Sequence, residues 1–370
     1  MKKYKVKILI FLTFLILIVG YFFSNSIIEK NSFLKLKSFL SIEQKKILKR
    51  YVFPYKLISQ QEKIISQLED GNELLYAELY FQKIQTEIET TKHEVKLSND
   101  KILEKYNLQK GFYVGIKNIT PGSGYIDFYQ KNLFVLSSRG VLAYRKIIDD
   151  NKSFKTIKNN IDDFINIKQF QKFGPKFRDK WFSLKDVLVF KDKIFISYTE
   201  EIEEDCWNTS IIYGNINYEN IEFKKFFSTK ECVHSIKNLD NSFNAQASGG
   251  RIVNFDEDHV LLSVGDYISR HLGQSKDSIN GKIIKININY KDYEIISMGH
   301  RNPQGLYFDV EDNFILETEH GPMGGDEINL IKNEKINKNK IPNYGWPIAS
   351  YGEHYGGKNK KNRNKYEKYP

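Results

Sequence analysis

"GRIVNFDEDHVLLSVGD", residues Gly250–Asp266, compresses a short strand, a polar turn and a second strand into one stretch. Apolar β-branched residues flank an Asp-Glu-Asp centre, the pattern of a hairpin. Its second half recurs along the chain as an apolar run of three or four residues ending in Ser or Thr. "FVLSS" starts at Phe134, "IFISYT" at Ile194, "VLLSVGD" at Val260 and "FILETEHG" at Phe314, spaced by 60, 66 and 54 residues. Another short strand and turn precede each run. Two more strands often follow, as in "GKIIKININ" and "YEIISMG". A four-strand unit repeating at this interval is the signature of a β-propeller; the competing architecture is a β-sandwich with coincidental spacing.

The stretch "GHRNPQGLYFDVEDNFILETEHGPMGGDE", Gly299–Glu327, contains the next hairpin. Leu306–Asp309 and Phe314–Glu319 read as strands, with Val310–Asn313 as the turn. The start of a hairpin's first strand and the end of its second lie at one end. Arg301, Asn302 and Gln304 are therefore expected to meet His320, Gly321 and Pro322. By the same topology Gln246–Gly250 and Gly265–Asp266 share an end in the preceding unit. Two adjacent units would then present polar, glycine-rich loops to one pocket.

The 370 residues are 41% hydrophobic and 14% aromatic, enough for a real core, and the net charge is +10. That charge does not indicate nucleic acid, because lysine is dispersed among abundant Ile and Asn. The basic residues gather only at the ends, at Lys2, Lys3, Lys5 and Lys7 and again from Lys358 to Lys365. Ile8–Phe23 is an unbroken apolar run that ends in Tyr21-Phe22-Phe23, without the small residues of a cleavage site. We expect an uncleaved anchor over residues 1–24, with a cleaved signal sequence as the alternative, the lysines inside and the remainder exported. Residues 25–110 carry apolar positions near helical spacing, among them Ile58, Ile65, Leu68, Leu75, Leu79 and Ile88, and are expected to form a helical stalk. Residues 111–370 form the β-rich domain. Cys206 and Cys232 are the only cysteines. An exported compartment permits a disulfide between them, whereas the pair alone offers too few ligands for a metal.

The ordered motifs "GGRIVNF…LLSVGD", "GHRNPQGL", "EHGPMGGDEINLI" and "NYGWP" resemble the soluble aldose sugar dehydrogenases, the glucose/sorbosone dehydrogenases that use pyrroloquinoline quinone (PQQ). The resemblance is specific over residues 249–352, looser over 130–248 and absent before about residue 110. It implies an all-β, six-bladed propeller and an exported, membrane-anchored quinoprotein that oxidises a small-molecule sugar by hydride transfer to PQQ and Ca²⁺. The periplasmic or extracellular side of the membrane follows from the anchor. In the family, backbone carbonyls at the positions of Gly321 and Pro322 ligate the ion, and residues at Arg301 and Asn302 contact the quinone. Oxygen ligands suit a hard cation, and a guanidinium near a developing oxyanion would stabilise it. Asp326, Glu327 and Tyr344 resemble a structural Ca²⁺ region, although the insertion "KNEKINKNKIP" separates the acids from "NYGWP".

Two departures stand out. The family's catalytic histidine lies four residues before the arginine of "GGR", and Ala247 occupies that position here. Alanine cannot accept a proton, and general-base catalysis typically contributes roughly 10²–10⁴-fold. His271 and His320 are the candidates to substitute, each with a structural role as its alternative. Second, the family continues for about a blade and a half beyond the equivalent of "NYGWPIASYGEHYGG", through a lysine and paired arginines that clamp the PQQ carboxylates. The chain is therefore expected to end before the last blades. The runner-up function is a catalytically silent propeller that binds a sugar, a glycan or a protein.

Overall fold

Each recurrent run is the second strand of its own antiparallel sheet. The computed structural model describes residues 61–352, except 67, 69–74, 77–78, 80, 85, 99–100, 114–123, 148–152, 166–181 and 333–339. In the first sheet, β3 (Gly124–Tyr129), β4 (Asn132–Ser137), β5 (Leu142–Lys146) and β6 (Ser153–Asn159) follow in order. A preceding hairpin, β1 (Glu87–Lys96) with β2 (Ile102–Leu108), extends it beyond β6. The second sheet runs β7 (Leu184–Phe190), β8 (Lys193–Glu203) and β9 (Cys206–Asn215), with β11 (Lys224–Phe227) at its edge. Two short strands join these sheets: β10 (Asn220–Ile221) pairs with β6, and β12 (Val233–His234) pairs with the start of β9. The third is β13 (Gly249–Asn254), β14 (His259–Val264), β15 (Lys282–Asn287) and β16 (Tyr293–Met298). The fourth is β17 (Pro303–Asp309), β18 (Phe314–Glu319) and β19 (Glu327–Lys332). The fold is all-β, as expected.

The sheets pack face to face because their strands alternate. Phe134, Leu136 and Leu142 from the first sheet meet Val187, Ile194 and Ile196 from the second in one buried cluster. Phe195 and Ile211 then meet Ile252, Leu262 and Ile284, and Leu261 and Ile283 meet Leu306, Ile315 and Ile331. Successive side chains along a strand point to opposite faces, so one strand can feed two clusters. The first strands β3, β7, β13 and β17 adjoin one another in chain order. Aspartates stitch them together: Asp127 Oδ2 accepts the Val189 N–H at 2.6 Å, and Asp186 Oδ2 accepts the Ile252 N–H at 2.9 Å.

The Ser or Thr that ends each of the last three runs stands where the first strand of its sheet bulges, near Leu184/Asp186, Gly249/Ile252 and Pro303/Gly305. Ser197 donates to the Gly250 carbonyl, and Ser263 donates to the Pro303 carbonyl at 2.7 Å. A bulge bends and re-aims its strand. Here two of the hydroxyls tie the second sheet to the third and the third to the fourth, at the end where the glycine-rich loops converge.

Part of the stalk region differs from its sequence reading. Residues 61–66 are helical, but Glu87–Lys96 and Ile102–Leu108 are strands. Ile88 is fully buried opposite Phe154, beside Phe112, rather than on a helix face with Leu75 and Leu79. Pairing with β6 overrides the helical spacing, since Ile88 gains a core there that an isolated helix lacks. Among the described residues no helix is long and apolar enough to cross a membrane; the apolar run Ile8–Phe23 lies outside them. Cys206 and Cys232 form a disulfide with a Cα–Cα distance of 5.3 Å.

Candidate functional site

The hairpin of the fourth sheet brings the two polar clusters together. Arg301 lies just before β17 and His320–Gly321 just after β18, whose ends pair at Pro303↔Glu319. Arg301 Nη1 donates to the carbonyls of His320 and Gly321, at 2.6 Å each. His320 N–H donates to the Asn302 carbonyl at 3.1 Å. The neighbouring sheet joins in, because Asn302 Oδ1 accepts the Gly249 N–H at 3.0 Å and Gln304 Nε2 reaches the Gln246 carbonyl at 3.3 Å.

Gly321 is required by close approach. A Cβ there would lie 1.6 Å from the Gly325 carbonyl oxygen, because the chain turns back on itself through Pro322. The Pro322 carbonyl accepts the Gly325 N–H at 2.8 Å, and Gly321 N–H donates to Asp326 Oδ1 at 3.0 Å. The Gly321 carbonyl is thus fixed beside a guanidinium, and the Pro322 carbonyl next to it is fixed by the turn to Gly325. A carbonyl oxygen carries two lone pairs, so each is chemically able to ligate a hard cation as well. The His320 imidazole points at Asp326, Nδ1 to Oδ2 3.8 Å, with both side chains exposed.

Behind this rim Glu319 organises the loop. Its Oε2 accepts the N–H groups of Arg301 at 2.5 Å and Asn302 at 3.2 Å. Its Oε1 faces His300 Nδ1 at 3.3 Å and Asn329 Nδ2 at 3.1 Å. Glu317 Oε2 adds a second carboxylate, 3.6 Å from His300 Nδ1 and 2.9 Å from Asn329 Nδ2. Burial raises the Glu317 carboxyl to about 7, with His300 opposing and Glu319 reinforcing the shift. Burial and the Glu319 charge also raise Glu327, whose Oε2 lies 3.4 Å from Asn329 Nδ2. The structure links Glu327 to Tyr344 through this cluster: the Tyr344 ring stacks on His300 at 5.0 Å. The insertion before "NYGWP" therefore does not remove Tyr344 from the acids.

Asp266, at the loop after β14, completes the site. Its N–H donates to the Arg301 carbonyl at 2.8 Å, and its Oδ2 accepts from Trp346 Nε1 at 2.7 Å. The Arg301 guanidinium lies 5.5 Å from the Trp346 ring centroid. Burial raises Asp266 to about 6, opposed by the Ile268 N–H and then by the Arg301 charge. The "NYGWP" segment is anchored by Trp346 N–H to the Gly299 carbonyl at 2.9 Å and by Gln274 Nε2 to the Trp346 carbonyl at 2.6 Å.

Ala247 is buried at the end of a single 3₁₀ turn capped by Asn244, whose Oδ1 accepts the Gln246 N–H at 2.9 Å. The Ala247 carbonyl accepts the Tyr267 N–H at 2.9 Å. No proton acceptor occupies that side chain. His271 lies on the 3₁₀ turn Arg270–Gln274, and burial lowers its pKa. Sequence reading placed Asp266 in a converging loop without a role, and missed His300, Glu317, Glu319 and Trp346 as parts of the site. All of these residues lie within the quoted stretches, so adjacency to Arg301 and His320 in the fourth hairpin, and to the neighbouring motifs, was the available signal.

The family model for glucose/sorbosone dehydrogenase matches residues 184–369. Aldose sugar dehydrogenase YliI of Escherichia coli (strain K12) is 28% identical over 192 residues, covering 47% of this chain and 48% of that protein. Quinoprotein glucose dehydrogenase B of Acinetobacter calcoaceticus is 40% identical over 82 residues, 21% of this chain and 16% of its own. The chain thus spans about half the length of the first of these relatives, and less of the second. Among solved structures, the PQQ-bound aldose sugar dehydrogenase of Streptomyces coelicolor aligns with a TM-score of 0.43 at 17% identity, covering 64% of this chain and 70% of that one.

Proposed function

The chain belongs to the glucose/sorbosone dehydrogenase family, and from that premise we propose that it is a PQQ-dependent aldose sugar dehydrogenase. The observation that carries this is the Arg301 guanidinium fixed against the Gly321 carbonyl, with the Pro322 carbonyl next in the chain. When bound, PQQ with Ca²⁺ supplies a polarised quinone that accepts hydride from a sugar carbon. Gly321 and Pro322 would hold the ion through their carbonyls, a donor type that suits it. Arg301 and Asn302 would hold the quinone.

The chain's own residues supply position and charge. Glu319 orients the backbone of Arg301 and Asn302, and Asp266 takes part in fixing Trp346 beneath the guanidinium. Arg301 then presents a preorganised positive charge where negative charge would develop, and needs no rearrangement at that moment. Glu327 and Tyr344, on either side of the His300 cluster, are the residues we assign to a structural Ca²⁺.

We extend the fold to a six-bladed propeller. Ile126 and Phe128 on the first sheet, and Tyr307, Ile328 and Leu330 on the fourth, are exposed apolar positions that further blades would cover. Export and membrane anchoring are supported by Lys2–Lys7 ahead of the apolar run, and by the disulfide.

Ala247 favours a second reading, a silent propeller that keeps a ligand without oxidising it. Titrating the full chain with PQQ and Ca²⁺, then following quinone absorbance as aldoses are added, separates the two. Binding with reduction supports the dehydrogenase, and binding without reduction supports the silent module. Failure to bind PQQ would overturn both cofactor assignments.

A further inference from the structure

The corner where β8, β9 and β12 meet carries four metal-type donors that the quinone site does not use. Cys206, the first residue of β9, is the direct register partner of Glu203 on β8 and of His234 on β12. Cross-strand partners on one face bring their side chains together, and the donor atoms of Glu203, Cys206 and His234 all lie within 4.8 Å of one another. Cys232 stands two residues before His234, and its Sγ lies 3.8 Å from Glu203 Oε1. The disulfide to Cys206 places it at the same point. Read from the sequence, the two cysteines were too few for a metal. The fold adds a histidine and a carboxylate beside them.

We infer that this corner is a redox-gated transition-metal site, closed by the Cys206–Cys232 disulfide when oxidised and by one tetrahedral Zn²⁺-class ion when reduced. Two thiolates, one imidazole and one carboxylate form a ligand set of the kind zinc takes, and thiolates select it over hard cations. Cys206 is buried and Cys232 half-buried, whereas Glu203 and His234 are exposed, so an ion has access from the solvent side. The gate balances simply. A dithiol reductant delivers two electrons and two protons, breaks the S–S bond and leaves as its own disulfide. Metal binding then displaces the two thiol protons to solvent, so affinity rises with pH. With the disulfide intact, only Glu203 and His234 remain as donors, and binding is weak.

Cobalt(II) is the probe, because thiolate ligation gives it a charge-transfer absorption that carboxylate or imidazole ligation does not. The full chain is titrated with Co²⁺ either oxidised or after reduction with a dithiol that is then removed under argon. The reduced protein is expected to bind one equivalent with the thiolate band and the intense visible bands of a tetrahedral ion, and the oxidised protein to show neither. His234→Ala and Glu203→Gln alter exposed side chains and preserve both thiols. Each is expected to weaken Co²⁺ binding by at least about tenfold, the low end of what even an outer-shell partner costs. A reduced protein without the thiolate band would overturn the site, as would unchanged affinity in both variants. Loss of the native far-UV circular dichroism on reduction would also overturn it, because the four donors are brought together only by the folded corner.

Discussion

Arg301 and Gly321 are joined across the open end of one hairpin: the guanidinium Nη1 donates to the Gly321 carbonyl at 2.6 Å. The same nitrogen holds the His320 carbonyl, so one side chain sets the direction of the loop that presents Gly321 and Pro322. Arg301→Ala is expected to weaken PQQ binding in Ca²⁺ buffer by about 10–100-fold, the range for losing a hydrogen bond to a charged group. Arg301→Lys should recover only part of this, because an ammonium is a point charge without the guanidinium fork. Equal affinity of wild type and Arg301→Ala would remove Arg301 from the cofactor site.

Gly321→Ala is expected to disrupt the turn itself. The added Cβ would overlap the Gly325 carbonyl at 1.6 Å, and backbone must move to relieve it. Overpacking of this kind costs about 1–3 kcal/mol. A lower melting temperature, with faster hydrogen exchange confined to residues 320–327, is the expected result.

Glu319→Ala removes the acceptor of the Arg301 and Asn302 N–H groups, and also the partner of His300 and Asn329. Each buried donor left unpaired costs about 1–3 kcal/mol, so denaturant unfolding should show a loss of about 3 kcal/mol or more. A loss below about 1 kcal/mol would mean that water replaces the carboxylate and that Glu319 does not organise the loop.

Glu317 gives the fold a pH dependence. Burial raises its carboxyl from 4.5 to about 7, so between those values the native state holds a proton that the unfolded chain releases. Stability from this group is complete below the unfolded value and falls as pH rises through the folded one, by about 3 kcal/mol in total. Glu317→Gln should flatten the decline between pH 5 and 7 in thermal melts. A decline of unchanged slope would assign the titration to Glu327 or Asp266, which are also raised.

Trp346→Phe keeps the packing and deletes the indole donor to Asp266 Oδ2. With that bond gone the buried Asp266 loses a contact that favours its ionised form, so its apparent pKa should rise further above about 6. Carboxyl titration followed by infrared or carbon NMR spectroscopy would detect the shift.

The repeat, the hairpin ends and the family were legible in the amino-acid order, because alternation, turn residues and motif spacing are local properties. The runs at Phe134, Ile194, Val260 and Phe314 all became second strands, and Arg301 met Gly321 as hairpin topology requires. What distant segments supply was not legible. Ile88 lay at helical spacing but became a strand residue, because β6 offered it a buried partner. Tyr344 and Trp346 reach the site across an insertion, and only their bonds to Met298, Gly299 and Asp266 show it. The same holds for Cys206, whose neighbours Glu203 and His234 come from two other strands. Local pattern determines which strands form, since it depends on each residue and its near neighbours. Which charged groups share a buried corner is decided by strand pairing and sheet packing, where desolvation makes their placement matter most.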